Sequence, residues 1–204
     1  LRTVREVHHS TAVHNAPRPG SGSRSSGLPY PSEPPVVRDD LPDKGPGAPA
    51  SWGKRAGARL VDILLISLPS LFLAQALGVE VVTRDGTTEV TGSRWPLFIF
   101  PVAFIAYETF FIAWRGNTLG KYAFRAKVVA WERGDLPTYQ ESAIRALLPG
   151  IFLIIATAGT GSALALVIVV PVVIYLSSVF NRVYRGWHDK AADTIVLSAP
   201  RGVL

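Results

Sequence analysis

Cysteine is absent from all 204 residues. Disulfides, thiolate metal sites and cysteine nucleophiles are therefore excluded, and the redox compartment goes unmarked. Methionine is absent too, even at position 1. The first residue is expected to be an alternative start decoded as Leu or the trimmed end of a longer chain, not a natural terminus. Histidine is scarce: of the four, His8, His9 and His14 lie near the start, which leaves His188 alone in the rest of the chain. A histidine-based metal centre needs more ligands than that. The His8–His14 cluster reads as part of a solvated tail because of the composition around it. No plausible serine triad, phosphate-binding Walker loop or dinucleotide glycine fingerprint occurs. No enzyme, metal or cofactor is expected.

Apolar residues are plentiful and unevenly placed. They make up 48% of the chain, with a mean hydropathy of +0.26, and averages of that size decide nothing by themselves. Residues 1–50 hold nine of the 16 prolines, six Lys/Arg against five Asp/Glu, and no long apolar run. Such a segment cannot bury enough apolar surface to offset its chain entropy, so a disordered tail is expected over 1–50. It also lacks the continuous apolar core of a signal peptide. The net charge of +6 and pI of about 9.9 raise nucleic acid as a partner. The cations instead flank apolar runs, the positive-inside pattern of a membrane protein, so the bilayer is the expected partner and nucleic acid is not.

Three apolar regions follow. The first, Ala56 to Leu77, has 22 residues and reaches ~33 Å as a helix, enough for a hydrocarbon core of ~30 Å. Residues 79–94 are polar, and Asp85-Gly86 between Val79–Thr83 and Thr88–Thr91 signals a hairpin. The second region runs from Trp95 to Trp114, with a tryptophan at each end as interfacial anchors have. A charged loop over 115–142 includes the strip Leu119–Trp131, where apolar and basic residues alternate as an interfacial helix or a short strand would have them. The third region, Ala143 to Phe180, is divided at Thr157–Ser162. Basic residues concentrate before the first run, in the 115–142 loop and after Phe180. The positive-inside rule then places both termini and that loop in the cytoplasm and the 79–94 loop outside. That charge pattern favours a third region that enters and returns as a helical hairpin, giving four spans in total; the alternative is that one of its arms lies re-entrant.

Ionisable residues inside these runs are the candidate site. With Arg55 as reference, Arg59 lies at about +40° and Asp62 at about −20° on a helix, so the three share one stripe. Asp62 follows Arg59 by three residues, within reach of an i,i+3 pair. Asp62 lies ~9 Å from the cytoplasmic end of its run and Glu108 ~9 Å from the matching end of the second. Two carboxylates from different helices thus share one depth, with Arg55, Arg59, Arg145 and Arg182 slightly shallower. One polar cluster in the inner half of the bundle is expected. It has three readings: ion pairs that fix how helices dock, a proton- or ion-binding site, or a cradle for anionic lipid head groups.

Several elements taken together resemble the RDD family of bacterial membrane proteins. They are Trp52–Asp62 (WGKRAGARLVD), Arg115–Lys121 (RGNTLGK) with the strip Tyr122–Val129, Arg145 before the hairpin, and Asn181–Val196 (NRVYRGWHDKAADTIV). The resemblance covers about residues 50–198 and maps the family's arginine to Arg55 and its two aspartates to Asp62 and Asp189. Two positions depart from it. The family often has glycine where this chain has Arg125-Ala126, and again where it has Asp193. The Pro-rich tail resembles actinobacterial members. Gly116 and Gly120 suit a turn at a helix end, Lys121 suits head groups, and His188-Asp189 suits the cytoplasmic rim of the cluster. His188-Asp189 also matches a metal-dependent phosphohydrolase dyad, but the further ligands are missing.

The expectation is an all-α membrane bundle of four spans. It comprises a tail over 1–50, an RDD-like domain over 51–198 and a short tail over 199–204, in the bacterial inner membrane. The candidate residues are Arg55, Arg59, Asp62, Glu108, Arg145, His188 and Asp189. Transport of ions or a small solute is implied by the resemblance, and a homo-oligomer would be needed to enclose a path. The alternative is a non-transporting scaffold or assembly protein whose Pro-rich tail binds partners.

Overall fold

A computed structural model describes residues 24–31, 38–84, 87–158, 163–181 and 183–203. Helix α1 spans Trp52–Ala76 with Pro69 inside it, and the Leu77 N–H closes its last turn on Leu73 O at 3.0 Å. Strands β1 (Val79–Arg84) and β2 (Thr87–Gly92) follow as an antiparallel pair, in register from Val79↔Gly92 to Arg84↔Thr87. The predicted turn residues Asp85 and Gly86 lie outside the described residues. A 3₁₀ turn over Trp95–Phe98 then leads into α2, Ile99–Arg115.

Both Trp52–Ala76 and Trp95–Arg115 are long and apolar enough to cross a membrane. α1 presents Leu64, Leu68, Leu71 and Phe72 outward, a continuous apolar surface suited to lipid rather than to water. Helix α4 (Tyr139–Ala158) packs against α2, and α5 (Ala163–Leu176) packs against α4. Of the break expected at Thr157–Ser162, residues 159–162 lie outside the described residues, as does Arg182.

The all-α expectation is incomplete. The strip after α2 is neither helix nor strand alone: it forms α3 over Leu119–Ala123 and then β3 over Ala126–Ala130. After the short helix α6 (Trp187–Ala191), the closing stretch forms an unforeseen strand, β4, over Thr194–Ser198. β3 and β4 pair antiparallel from Ala126↔Ser198 to Ala130↔Thr194. Residues 47–50 line the other edge of β4: Gly47 N–H donates to Ser198 O at 2.9 Å, Ser198 N–H to Ala48 O at 2.7 Å and Ala50 N–H to Val196 O at 2.9 Å. The result is a small sheet capping the basic end of the bundle. Side chains alternate across it as strand geometry requires. Ala126, Val128 and Val196 meet Ala50 and Ile112 of α2 on one face. Val129, Ile195 and Leu197 meet Leu28 and Leu41 on the other.

Ordered packing therefore starts earlier than the expected boundary at residue 50. Residues 24–31 and 38–50 contribute Leu28, Leu41, Ala48 and Ala50 to buried positions. The few apolar residues there, scattered among prolines, find a sheet face that is far away in sequence. The C-terminal end is likewise tied in, with Ala199 buried and Val203 packed on the same core.

Candidate functional site

The end of α2 sets the site's geometry. Its C-cap, Gly116, has a left-handed φ of 76°, and a Cβ there would come within 2.9 Å of Val128 O. Only glycine turns the chain there so tightly. The turn brings Thr118–Lys121 under α1. Thr118 caps α3 by accepting from the Lys121 N–H at 3.3 Å. Gly120 lies directly against α1, where an added Cβ would collide with Ala58 O and come within 2.9 Å of the Asp62 carboxyl carbon.

Asp62 is fully buried and accepts three hydrogen bonds from neutral donors. They are Tyr107 O–H at 2.9 Å, Thr118 O–H at 2.6 Å and Gly120 N–H at 2.8 Å. The predicted i,i+3 pair with Arg59 is not what forms. Arg59 instead grips Glu108 with both guanidinium nitrogens, at 2.7 and 2.9 Å. It also lies over the rings of Phe104 and Tyr175, at 5.0 and 4.4 Å. A bidentate fork between stacked rings is the stronger site for a guanidinium.

From Asp62 the buried groups alternate in sign. Lys121 Nζ lies 3.9 Å from Asp62 Oδ2 and 3.2 Å from Glu108 Oε1. Arg145 Nε lies 3.8 Å from Glu108 Oε1, while its Nη1 donates to Asp189 Oδ1 and, at 3.0 Å, to Thr194 Oγ1. Asp189 Oδ2 then accepts from Arg55 Nη1 and from Gly186 N–H, both at 3.0 Å. Arg55 completes its fork on the carbonyls of Val196 and Ala50, both at 3.0 Å. The order is Asp62, Lys121, Glu108, Arg145, Asp189, Arg55, with Arg59 branching from Glu108. α1, α2, α4 and the cap all supply members, so the network is the joint between bundle and cap.

All seven predicted residues fall in this one network or on its border. His188 is on the border. Its ring lies edge-on to Tyr175 at 4.7 Å, and its Nε2 is 3.6 Å from Asp189 Oδ1, beyond a hydrogen bond. Burial, with Arg145 and Arg59 nearby, pushes the imidazole pKa well below its ordinary value. It is therefore neutral at pH 7.

Sequence reasoning misplaced Lys121. The expectation puts it among head groups, whereas it is 6% exposed and bridges two carboxylates. Burial pushes its ammonium below the ordinary lysine value, the attraction of Glu108 opposes this, and repulsion by Arg59 and Arg145 adds to it. Tyr107, Thr118, Tyr175 and Thr194 were also missed. The available signal was the glycine one position before Lys121, which marks close packing of backbone on backbone. Among the described residues, no three His, Asp or Glu side chains come together as a metal set.

Arg55, Asp62 and Asp189 therefore share one network: Arg55 binds Asp189 directly, and Asp62 is joined to them through Lys121, Glu108 and Arg145. The RDD family matches residues 49–193. This chain belongs to the RDD family. No curated protein and no solved structure matches it. Family and apolar helices agree on a membrane protein. In this RDD protein Arg125 and Asp193 both have left-handed backbones, at φ 54° and 47°. Their strain falls at the two ends of the β3–β4 pair.

Proposed function

We propose that this RDD protein is a multi-pass bacterial inner-membrane protein that moves ions or a small solute, with Asp62, Lys121 and Glu108 as the handling site. It is not an enzyme. Four spans, α1, α2, α4 and α5, put the basic cap and both termini in the cytoplasm by the positive-inside rule. A second copy is needed to enclose a path, because α1 leaves most of its apolar surface uncovered.

The carrying observation is a charge count. Four cations, Arg55, Arg59, Lys121 and Arg145, face three carboxylates, Asp62, Glu108 and Asp189. A buried excess charge costs several kcal/mol, about what a proton can relieve. Lys121 is the member best placed to release one, since arginine holds its proton throughout the accessible range. Loss of that proton leaves a neutral amine between two carboxylates from different helices. The network is then balanced, three cations against three carboxylates, and the amine lone pair beside the Asp62 and Glu108 oxygens can take up a proton or a small cation. Ionisable groups at such depth mark ion and proton paths in membrane proteins.

The test is flux in proteoliposomes made with pure protein. Proton and alkali-cation movement is expected, and Asp62→Asn should alter it in a folded protein. Absence of flux for protons and every alkali cation tried refutes the proposal. A second reading has its own support: every carboxylate is already saturated by fixed donors and the network joins four elements, as a docking lock would. That reading makes the chain a membrane scaffold. It predicts no flux and partners that copurify only when residues 1–50 are present.

A further inference from the structure

The distal face of the cap sheet is apolar and completely covered. Val129, Ile195 and Leu197 are each 0% exposed, because Leu28, Tyr30, Leu41 and Val203 lie on them. Residues 24–31 form no regular structure and include Pro29 and Pro31. They sit on that face as an extended peptide sits in a recognition groove, with an apolar anchor and hydrogen bonds around it.

Those hydrogen bonds all reach one stretch of the chain. Arg24 Nη2 donates to Ala113 O at 2.6 Å, in the last turn of α2. Leu136 N–H donates back to Arg24 O at 2.8 Å. Lys127 Nζ donates to Ser26 O at 2.9 Å, and to Val203 O at 2.6 Å. The Tyr30 hydroxyl donates to Trp131 O. The segment is thus stitched to 113–136 at four points. That stretch ends α2, lays Thr118 and Gly120 on Asp62, and presents Lys121 to Glu108. Lys127 is a built-in reporter: it is 6% exposed and its ammonium is held by carbonyls, one of which belongs to Ser26. Removing that carbonyl and the cover above it opens Lys127 to water.

A short segment with one buried apolar anchor, Leu28 at 9% exposed, opens at lower free energy than the core it covers. We infer that the distal face of the cap is a peptide-docking groove whose resident occupant is residues 24–31, and that seating this segment latches the 113–136 stretch that presents Lys121. When seated, Lys121 and Lys127 are both enclosed. When unseated, the groove is open and the stretch is loosened, so whatever captures the N-terminal segment acts on the charged network. The inference holds for a transporter and for a scaffold alike.

A pulse of amine-reactive reagent on the full chain in lipid nanodiscs, with modification at Lys121 and Lys127 read by mass spectrometry, tests it. Both lysines should be protected in the parent protein. Leu28→Asp should raise modification of both by about tenfold or more, and a synthetic peptide of residues 24–31 should restore protection in trans. Gain at Lys127 without gain at Lys121 overturns the latch. Failure of the peptide to protect a monodisperse variant of parental helicity overturns the groove. If Leu28→Asp does not fold, Arg24→Ala decides the latch. Arg24 is exposed and its loss removes only the tie to Ala113, so unchanged reactivity at Lys121 in that variant refutes the coupling.

Discussion

Removing one carboxylate and removing one cation from the buried network should have very different consequences. Glu108 is the acceptor for both Arg59 nitrogens and for Lys121, with Arg145 close by. Glu108→Gln preserves shape but leaves three cations around a neutral amide. Breaking a buried pair in this way costs about 3–5 kcal/mol. Lys121→Met is the contrasting change. At an effective dielectric constant of about 20, Lys121 gains roughly 5 kcal/mol from Glu108 at 3.2 Å and roughly 4 kcal/mol from Asp62 at 3.9 Å. Against this stand several kcal/mol for burying an ammonium and repulsion by Arg59 and Arg145. The two sides nearly cancel, so Lys121→Met should lie within about 1 kcal/mol of the parent, or above it. Reversible unfolding in mixed micelles, followed by tryptophan fluorescence at pH 7, gives both values. A loss for Lys121→Met as large as that for Glu108→Gln would refute the charge count, and with it the argument that Lys121 is poised to release a proton.

Four further outcomes follow from the geometry. His188 is held neutral, so its folded-state pKa lies below its unfolded value near 6.5. Its contribution is intact above that pH and is lost at about 1.4 kcal/mol per unit as pH falls below it; a stability–pH curve should show this slope, and His188→Gln should flatten it. Gly120→Ala should cost about 2–3 kcal/mol by overpacking and by parting α3 from Asp62, measured by the same unfolding titration. Arg125→Gly should raise stability by about 0.5–1 kcal/mol through relief of its left-handed backbone. Asp193→Gly should be near neutral, since the same relief is offset by loss of the Arg185 contact at 2.9 Å.

Long-range apolar patterning and the placement of charge within it were legible from the residues alone. Run length identified α1 and α2 as membrane-length helices, because a hydrocarbon core demands a minimum helix length wherever it occurs. The polar cluster was legible for a similar reason. A charge inside an apolar run needs a partner, and equal depth on two helices brought Asp62 and Glu108 into one region. Which partner each charge takes was not legible. Arg59 reaches across to Glu108 instead of along its own helix to Asp62, because the rings of Phe104 and Tyr175 and the bidentate fork are there to receive it. The cap was the larger omission. β3 and β4 are 5 residues each and pair across more than sixty positions, too short and too distant for local periodicity to reveal. Burial of Lys121 depends on the Gly116 turn and the Gly120 contact together. A lysine beside an apolar run looks interfacial until the backbone is seen to fold it underneath α1.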